Sequence, residues 1–314
     1  MKMTHDFSTG LVNRLPKVRG RYTFQAPLAQ VTWFRVGGAA DVLYKPADLQ
    51  DLQTFLSACP SDIPVTVMGV GSNLLVRDGG VPGVVIRLGQ GFNNIHIHDN
   101  YIHVGSAVLD RTVSTLAQQS GIANLEFLCS IPGTIGGALR MNAGCYGGDI
   151  SQILQKAFLV DRRGRLHTLD TADLKYGYRH CGIPKDWIFV GARLMGVKDE
   201  PEAIEERMKE MLNSREATQP VHSRTGGSTF ANPEGMKAWE LIDEAGCRGL
   251  TVGGAQMSEL HCNFMMNTGE ATAADLETLA EEVRARVLKN SGVVLRWEIE
   301  RIGVETIIKK AIAA

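Results

Sequence analysis

Apolar positions along the chain change period repeatedly, and each change marks an element. From Pro46 to Cys59 (PADLQDLQTFLSAC) they recur at helical spacing, and a short apolar run, Val65 to Val70, follows before a glycine; a helix and then a buried strand are predicted. Further strands are predicted at Gly83 to Leu88, Tyr101 to Val104, Gln155 to Val160 and Trp187 to Leu194, with another helix at Asp110 to Gln119. After Lys198 the sequence DEPEAIEERMKEMLNSREATQP is helix-like but densely charged, which makes it the candidate interdomain segment. Met236 to Ala245 and Ala274 to Asn290 then read as amphipathic helices, and Val293 to Ile302 (VVLRWEIERI) as one strand. Single helices mixed with many short strands predict an α+β architecture rather than a doubly wound sheet. The expected division is a large domain over 1–203, a smaller α/β domain over 204–303 and a tail over 304–314.

Length and composition agree with that division. The chain has 314 residues, 44% of them apolar, enough for about two domains with real cores. Lys plus Arg is 33 and Asp plus Glu 34, so no bulk field is available to hold a polyanion or an anionic membrane, which argues against nucleic-acid and membrane partners. The start of the chain, MKMTHDFSTGLVNRLPKVRGRY, is polar where a secretory signal needs an apolar core, and no apolar run is long enough to span a bilayer; a soluble, cytoplasmic protein is expected. The six cysteines form no CxxC pair or Cys/His cluster and read as free thiols. His96 and His98 alternate along IHIHD with His103 nearby, but no carboxylate or cysteine completes a set, so no metal is expected.

Glycine is the one composition signal, at 34 residues, and it concentrates in three places. In TVMGVGSNLLV (66–76) an apolar strand runs into Gly69, Gly71, Ser72 and Asn73. Such a loop can point several backbone N–H groups at one anion, although alone it is more often a tight turn without a ligand. It is not the dinucleotide fingerprint, because Leu74 stands where GxGxxG requires glycine. In CSIPGTIGGALRMNAGCYGGD (129–149) the glycines are too dense to serve packing, and they allow backbone to approach a flat or phosphorylated ligand. Two such loops in one domain point to a long ligand reaching both, such as a dinucleotide. In RTGGSTFANP (224–233), Ser228 fails the GxSxG elbow because Phe230 occupies the last position. That serine either donates a proton to a reactive carbon or caps its turn.

FRVGGAADVLYKP (34–46), VMGVGSNLLV (67–76), IPGTIGGALRMNAGCYG (131–147), YGYRHC (176–181), GGSTFANP (226–233) and LRWEIERIG (295–303) stand in the order found in the UDP-N-acetylenolpyruvoylglucosamine reductase family. The resemblance covers about residues 25–303 and is closest to the shorter class of the family, since the path from Arg179 to the charged helix leaves no room for an extra loop. It implies an FAD-binding domain of two subdomains, about 20–90 and 91–203, of the vanillyl-alcohol oxidase (PCMH-type) superfamily, followed by a substrate domain. It also implies noncovalent FAD on Gly69, Val70, Gly71, Ser72 and Asn73, with Arg35, Gly133, Thr134, Gly136, Gly137 and Ala138 around it. NADPH is the implied co-substrate, and the enolpyruvyl ether of UDP-N-acetylglucosamine is the acceptor, reduced to UDP-N-acetylmuramate for peptidoglycan.

The same resemblance assigns three polar roles. Ser228 matches the residue that gives a proton to the carbon next to the reduced methylene, Arg179 the cation that steadies the substrate carboxylate, and Glu298 the acid that helps polarise the acceptor. If Leu295 to Gly303 is one strand, Glu298 and Glu300 share a face, and Trp297 and Ile299 the other. The chain departs from the family pattern at Ala231, usually lysine, at Cys145 and Ser130, usually small residues, and at the WEIER ending, usually EVR. Arg224 or Lys237 then becomes the candidate for the missing cation. The competing readings are an FAD-dependent alcohol or sugar oxidase on the same flavin domain, and a non-catalytic nucleotide-binding protein.

Overall fold

Helices form where a cap and an apolar stripe coincide, and Ala273–Ser291 shows both in this computed structural model, which describes residues 7–306. Thr272 accepts from the Asp275 amide while Asp275 accepts from that of Thr272, Gly292 closes the far end, and Leu276, Leu279, Ala280, Val283 and Val287 are buried along one side. The helices expected at Pro46 to Cys59 and Asp110 to Gln119 form at Leu49–Ala58 and Asp110–Gln119. From residue 307 on, the expected tail lies outside the described residues.

The chain divides into two compact units that differ from the consecutive stretches expected. The first comprises 1–24, 42–70 and 83–217, and the second 25–41, 71–82 and 218–314. Two short segments from the first third of the sequence thus belong with the C-terminal residues. Nothing in local periodicity records this, because membership is set by long-range burial: Phe34, Val36 and Leu75 enter the same core as Ile242, Met265 and Leu279.

The first unit has two cores. Around Tyr44, Phe55, Val84 and Ile86, the sheet ordered Arg21–Pro27, Ala39–Lys45, Val81–Arg87, Val65–Met68 packs against the helix Leu49–Ala58, with the last two strands parallel. The other core, containing Ile102, Leu128, Leu139 and Leu194, lies under an antiparallel five-stranded sheet. Its order is Leu166–Asp170, Leu154–Val160, Ile188–Met195, Tyr101–Gly105, Ile95–His98. The charged helix, Pro201–Thr218, belongs to this unit up to Ala217 and is not a linker. Arg207 pairs with the buried Glu126 at 2.7 Å, and the Arg215 guanidinium donates to the Ser130 carbonyl. Its charges anchor it, which the pattern of a solvated face concealed.

In the second unit a sheet ordered Arg224–Ser228, Phe264–Asn267, Ala255–Met257, Thr251–Val252 packs with Ala238–Glu244 and Ala273–Ser291. The strand expected over Val293 to Ile302 is broken in two. Arg296–Trp297 pairs antiparallel with Phe230–Ala231, whereas Glu300–Ile302 pairs parallel with Leu74–Val76. Each half finds a different partner, so Glu298 and Ile299 form a bend between them, and the shared-face argument for Glu298 and Glu300 does not hold.

Candidate active site

The two glycine loops meet in the first unit. A Cβ on Gly69, at the end of Val65–Met68, would lie 2.8 Å from Thr134 Oγ1, so the approach requires glycine. The second loop is laid along Ser106 to Asp110 by three backbone bonds: Gly136 N to Ser106 O, Ile135 N to Val108 O, and Asp110 N to Gly133 O. It then enters a short helix, Ile135–Met141, that the glycine content hid. Gly137 presents open backbone, with nothing nearer than 3.9 Å to a Cβ built there. Two bare backbone stretches that converge in one place suit an extended, phosphate-bearing cofactor such as FAD. Gly69, Val70, Gly133, Thr134, Gly136, Gly137 and Ala138 are the residues of this unit that would hold it.

Below Gly133 lies Asp110, fully buried, with neither carboxyl oxygen hydrogen-bonded among the described residues. Burial drives its pKa well above the usual carboxylate range. A raised folded-state pKa contributes stability that is complete below the unfolded value near 4 and is lost as pH rises through the folded value. Asp110→Asn should therefore raise the melting temperature of the apoprotein by on the order of 2 °C or more at pH 7, with the gain vanishing near pH 4. A shift of equal size at both pH values would mean that packing, not ionisation, is responsible.

In the second unit, Ser228 ends the strand Arg224–Ser228 after a register shift at Gly226 and Gly227. Gly227 takes φ +84, and a Cβ on Gly226 would press within 2.5 Å of the Phe34 ring; both bends need glycine. The next residues are fixed by Asn263, whose carbonyl accepts from Thr229 N at 2.7 Å and whose side chain exchanges two hydrogen bonds with Phe230. The Ser228 side chain is half-buried, and its hydroxyl makes no hydrogen bond among the described residues. It caps no turn among the described residues.

Glu298 is brought beside this strand. Its amide donates to Thr229 O at 2.9 Å, and its carbonyl accepts from Asn73 Nδ2 at 3.1 Å. Glu300 N donates to Asn73 O at 3.0 Å. Asn73 thus grips both sides of the bend, a role that the sequence did not reveal. Glu298 is half-buried and Glu300 exposed. Behind them Trp297 Nε1 donates to Glu281, and Arg301 stacks on the Trp297 ring while reaching Glu277. Also in this unit, Gly71 O accepts from Trp33 N, and Arg35, at φ +59, donates to Gln30 O. Ser72 follows Gly71 directly.

Arg179 belongs to the first unit, at the tip of a tight turn closed by Gly177 and His180. It takes φ +52, donates through Nη2 to Gly144 O at 2.6 Å and lies over the Tyr178 ring. The guanidinium is thereby tied to the glycine-rich loop of 129–149. Among the departures, Cys145 donates to Phe127 O, and burial pushes its thiol up to about 12, outweighing the nearby Arg179 charge. It is a neutral packing thiol at physiological pH. Ala231 is buried against the Arg296 strand. Lys237 pairs with Glu240 and lies over the Trp239 ring, and Arg224 donates to Gly269 O.

Comparison with known proteins adds identity to this geometry. Residues 219–302 match the family model described as UDP-N-acetylenolpyruvoylglucosamine reductase, C-terminal domain, and residues 40–170 match that of an FAD binding domain. Proteins called UDP-N-acetylenolpyruvoylglucosamine reductase are similar over nearly their whole length. The one from Parvibaculum lavamentivorans is 59% identical over 96% of this chain and 97% of its own, and the one from Rhodospirillum rubrum 57% identical over 94% of each. Among solved structures, UDP-N-acetylenolpyruvylglucosamine reductase from Thermus caldophilus is 32% identical, with a TM-score of 0.79 over 91% of this chain and 100% of its own. No helix of the described residues is long and apolar enough to cross a membrane.

Proposed function

The chain belongs to the UDP-N-acetylenolpyruvoylglucosamine reductase family, and on that premise we propose how its own residues carry the reaction. It is a flavin-dependent oxidoreductase of peptidoglycan precursor synthesis that reduces the enolpyruvyl ether of UDP-N-acetylglucosamine to UDP-N-acetylmuramate. FAD, when bound, would supply hydride chemistry for the methylene carbon of the enolpyruvyl group.

The neighbouring carbon then needs a proton, and Ser228 is the donor. The single observation that carries this assignment is the hydroxyl of a half-buried residue, without a hydrogen bond among the described residues, beside a segment clamped to Glu298. Glu298 polarises the acceptor, from a backbone held on both sides. Arg179 neutralises charge developing on the substrate carboxylate, for which a planar guanidinium is suited. NADPH is the reductant in this reading. Free cysteines throughout, without one disulfide among them, support a cytoplasmic site of action, where this nucleotide sugar would meet the enzyme.

In this reading noncovalent FAD would lie on Gly69, Val70, Gly133, Thr134, Gly136, Gly137 and Ala138 of the first unit. The purified protein should be yellow, and acid or heat should release all of the colour into the supernatant. Colour that stays with the precipitate would show a covalent link, and a colourless protein that takes up no FAD would end the flavin assignment.

A further inference from the structure

We propose that Asn73 is a positioning residue for Glu298, coupling the loop of Gly69 to Asn73 to the acid. The inference rests on the assignment of Glu298 above, and it deepens that assignment. Its basis is one residue that makes two contacts with the same bend. Asn73 Nδ2 donates to the Glu298 carbonyl at 3.1 Å, and its own carbonyl accepts from Glu300 N at 3.0 Å. These bonds flank the break between Arg296–Trp297 and Glu300–Ile302. A bend between two short strands has no ladder of its own, so its backbone groups must be satisfied from outside. Thr229 supplies the partner of the Glu298 amide, and Asn73 those of the Glu298 carbonyl and the Glu300 amide.

The consequence is directional. Leu74–Val76, the strand that follows Asn73, pairs in parallel with Glu300–Ile302, so Asn73 is fixed to that strand as well as to the bend. A ligand that orders the loop therefore orders the bend with it. An asparagine is required for the side-chain bond, because an aspartate carboxylate cannot donate to the Glu298 carbonyl and an alanine has no group that reaches it. The backbone bond from Glu300 survives replacement of the Asn73 side chain, so the loss falls on the Glu298 side.

Hydrogen exchange and a double-mutant cycle test the proposal. In the wild-type protein, adding FAD to apoprotein should slow exchange at the amides of Glu298 and Glu300, and in Asn73→Ala with FAD bound at saturation the Glu298 amide should exchange about fivefold to tenfold faster, the scale set by one net hydrogen bond, with the Glu300 amide changing less. In the second half-reaction, Asn73→Ala should lower the rate at saturating enolpyruvyl substrate by about tenfold in the parent protein but by less than about twofold in the Glu298→Gln background, with little change in half-saturation. Asn73→Asp should behave like Asn73→Ala. Equal losses in both backgrounds, or exchange unaltered by the variant, would overturn the proposal. If Glu298→Gln itself leaves the half-reaction intact, the assignment of Glu298 fails instead, and the exchange result alone then decides whether Asn73 positions the bend.

Discussion

Ser228→Ala should slow oxidation of the reduced protein by the enolpyruvyl substrate by about 10²- to 10⁴-fold, the range for a positioned proton donor. Reduction by NADPH should change by less than about twofold, since no proton on the acceptor carbon is involved in it. The structure makes the substitution clean. Among the described residues, no partner of the hydroxyl is orphaned by its removal, and the Asn263 bonds that hold Thr229 and Phe230 do not involve it. Stopped-flow absorbance separates the two half-reactions. Equal slowing of both would mark Ser228 as structural.

Glu298→Gln should slow the second half-reaction by at least about 100-fold, on the order of 3 kcal/mol in the barrier, whereas Glu300→Gln should change it by less than about tenfold, under about 1.4 kcal/mol. The two acids are two residues apart, and an unbroken strand would present both to one cleft. The break separates them. Glu298 is half-buried in the bend, between the Thr229 carbonyl and the Asn73 amide, while Glu300 starts a new strand beside Leu74–Val76 and is exposed. Single-turnover rates of the two variants check the assignment. The reverse order of effects would move the acid two residues along the chain.

Local pattern made some of this legible and long-range pairing concealed the rest. The helix Asp110–Gln119 and the strand Leu154–Val160 stand where their periods place them, because each buries a face that its own residues define. The segment LRWEIERIG alternates as one strand should, yet it is split because Phe230–Ala231 and Leu74–Val76, more than 150 residues apart, claim its two halves. Ser228 could be singled out from its glycines, and the two glycine loops from their density. Their convergence at Gly69 and Thr134 could not, since it depends on a missing Cβ at one residue and a hydroxyl at another. Asn73 carried only the signal of a loop residue next to glycine. Its hold on Glu298 is a contact between residues 225 positions apart.

The central claim is that the enolpyruvyl nucleotide sugar, and not oxygen, takes the electrons. The direct test is to reduce the protein with NADPH under strict exclusion of oxygen, mix it with the enolpyruvyl ether of UDP-N-acetylglucosamine, and follow the flavin absorbance. The account predicts that the yellow colour returns in full, with one equivalent of UDP-N-acetylmuramate formed. A protein that stays bleached until air is admitted, and then produces hydrogen peroxide and no UDP-N-acetylmuramate, would be an oxidase and would contradict it.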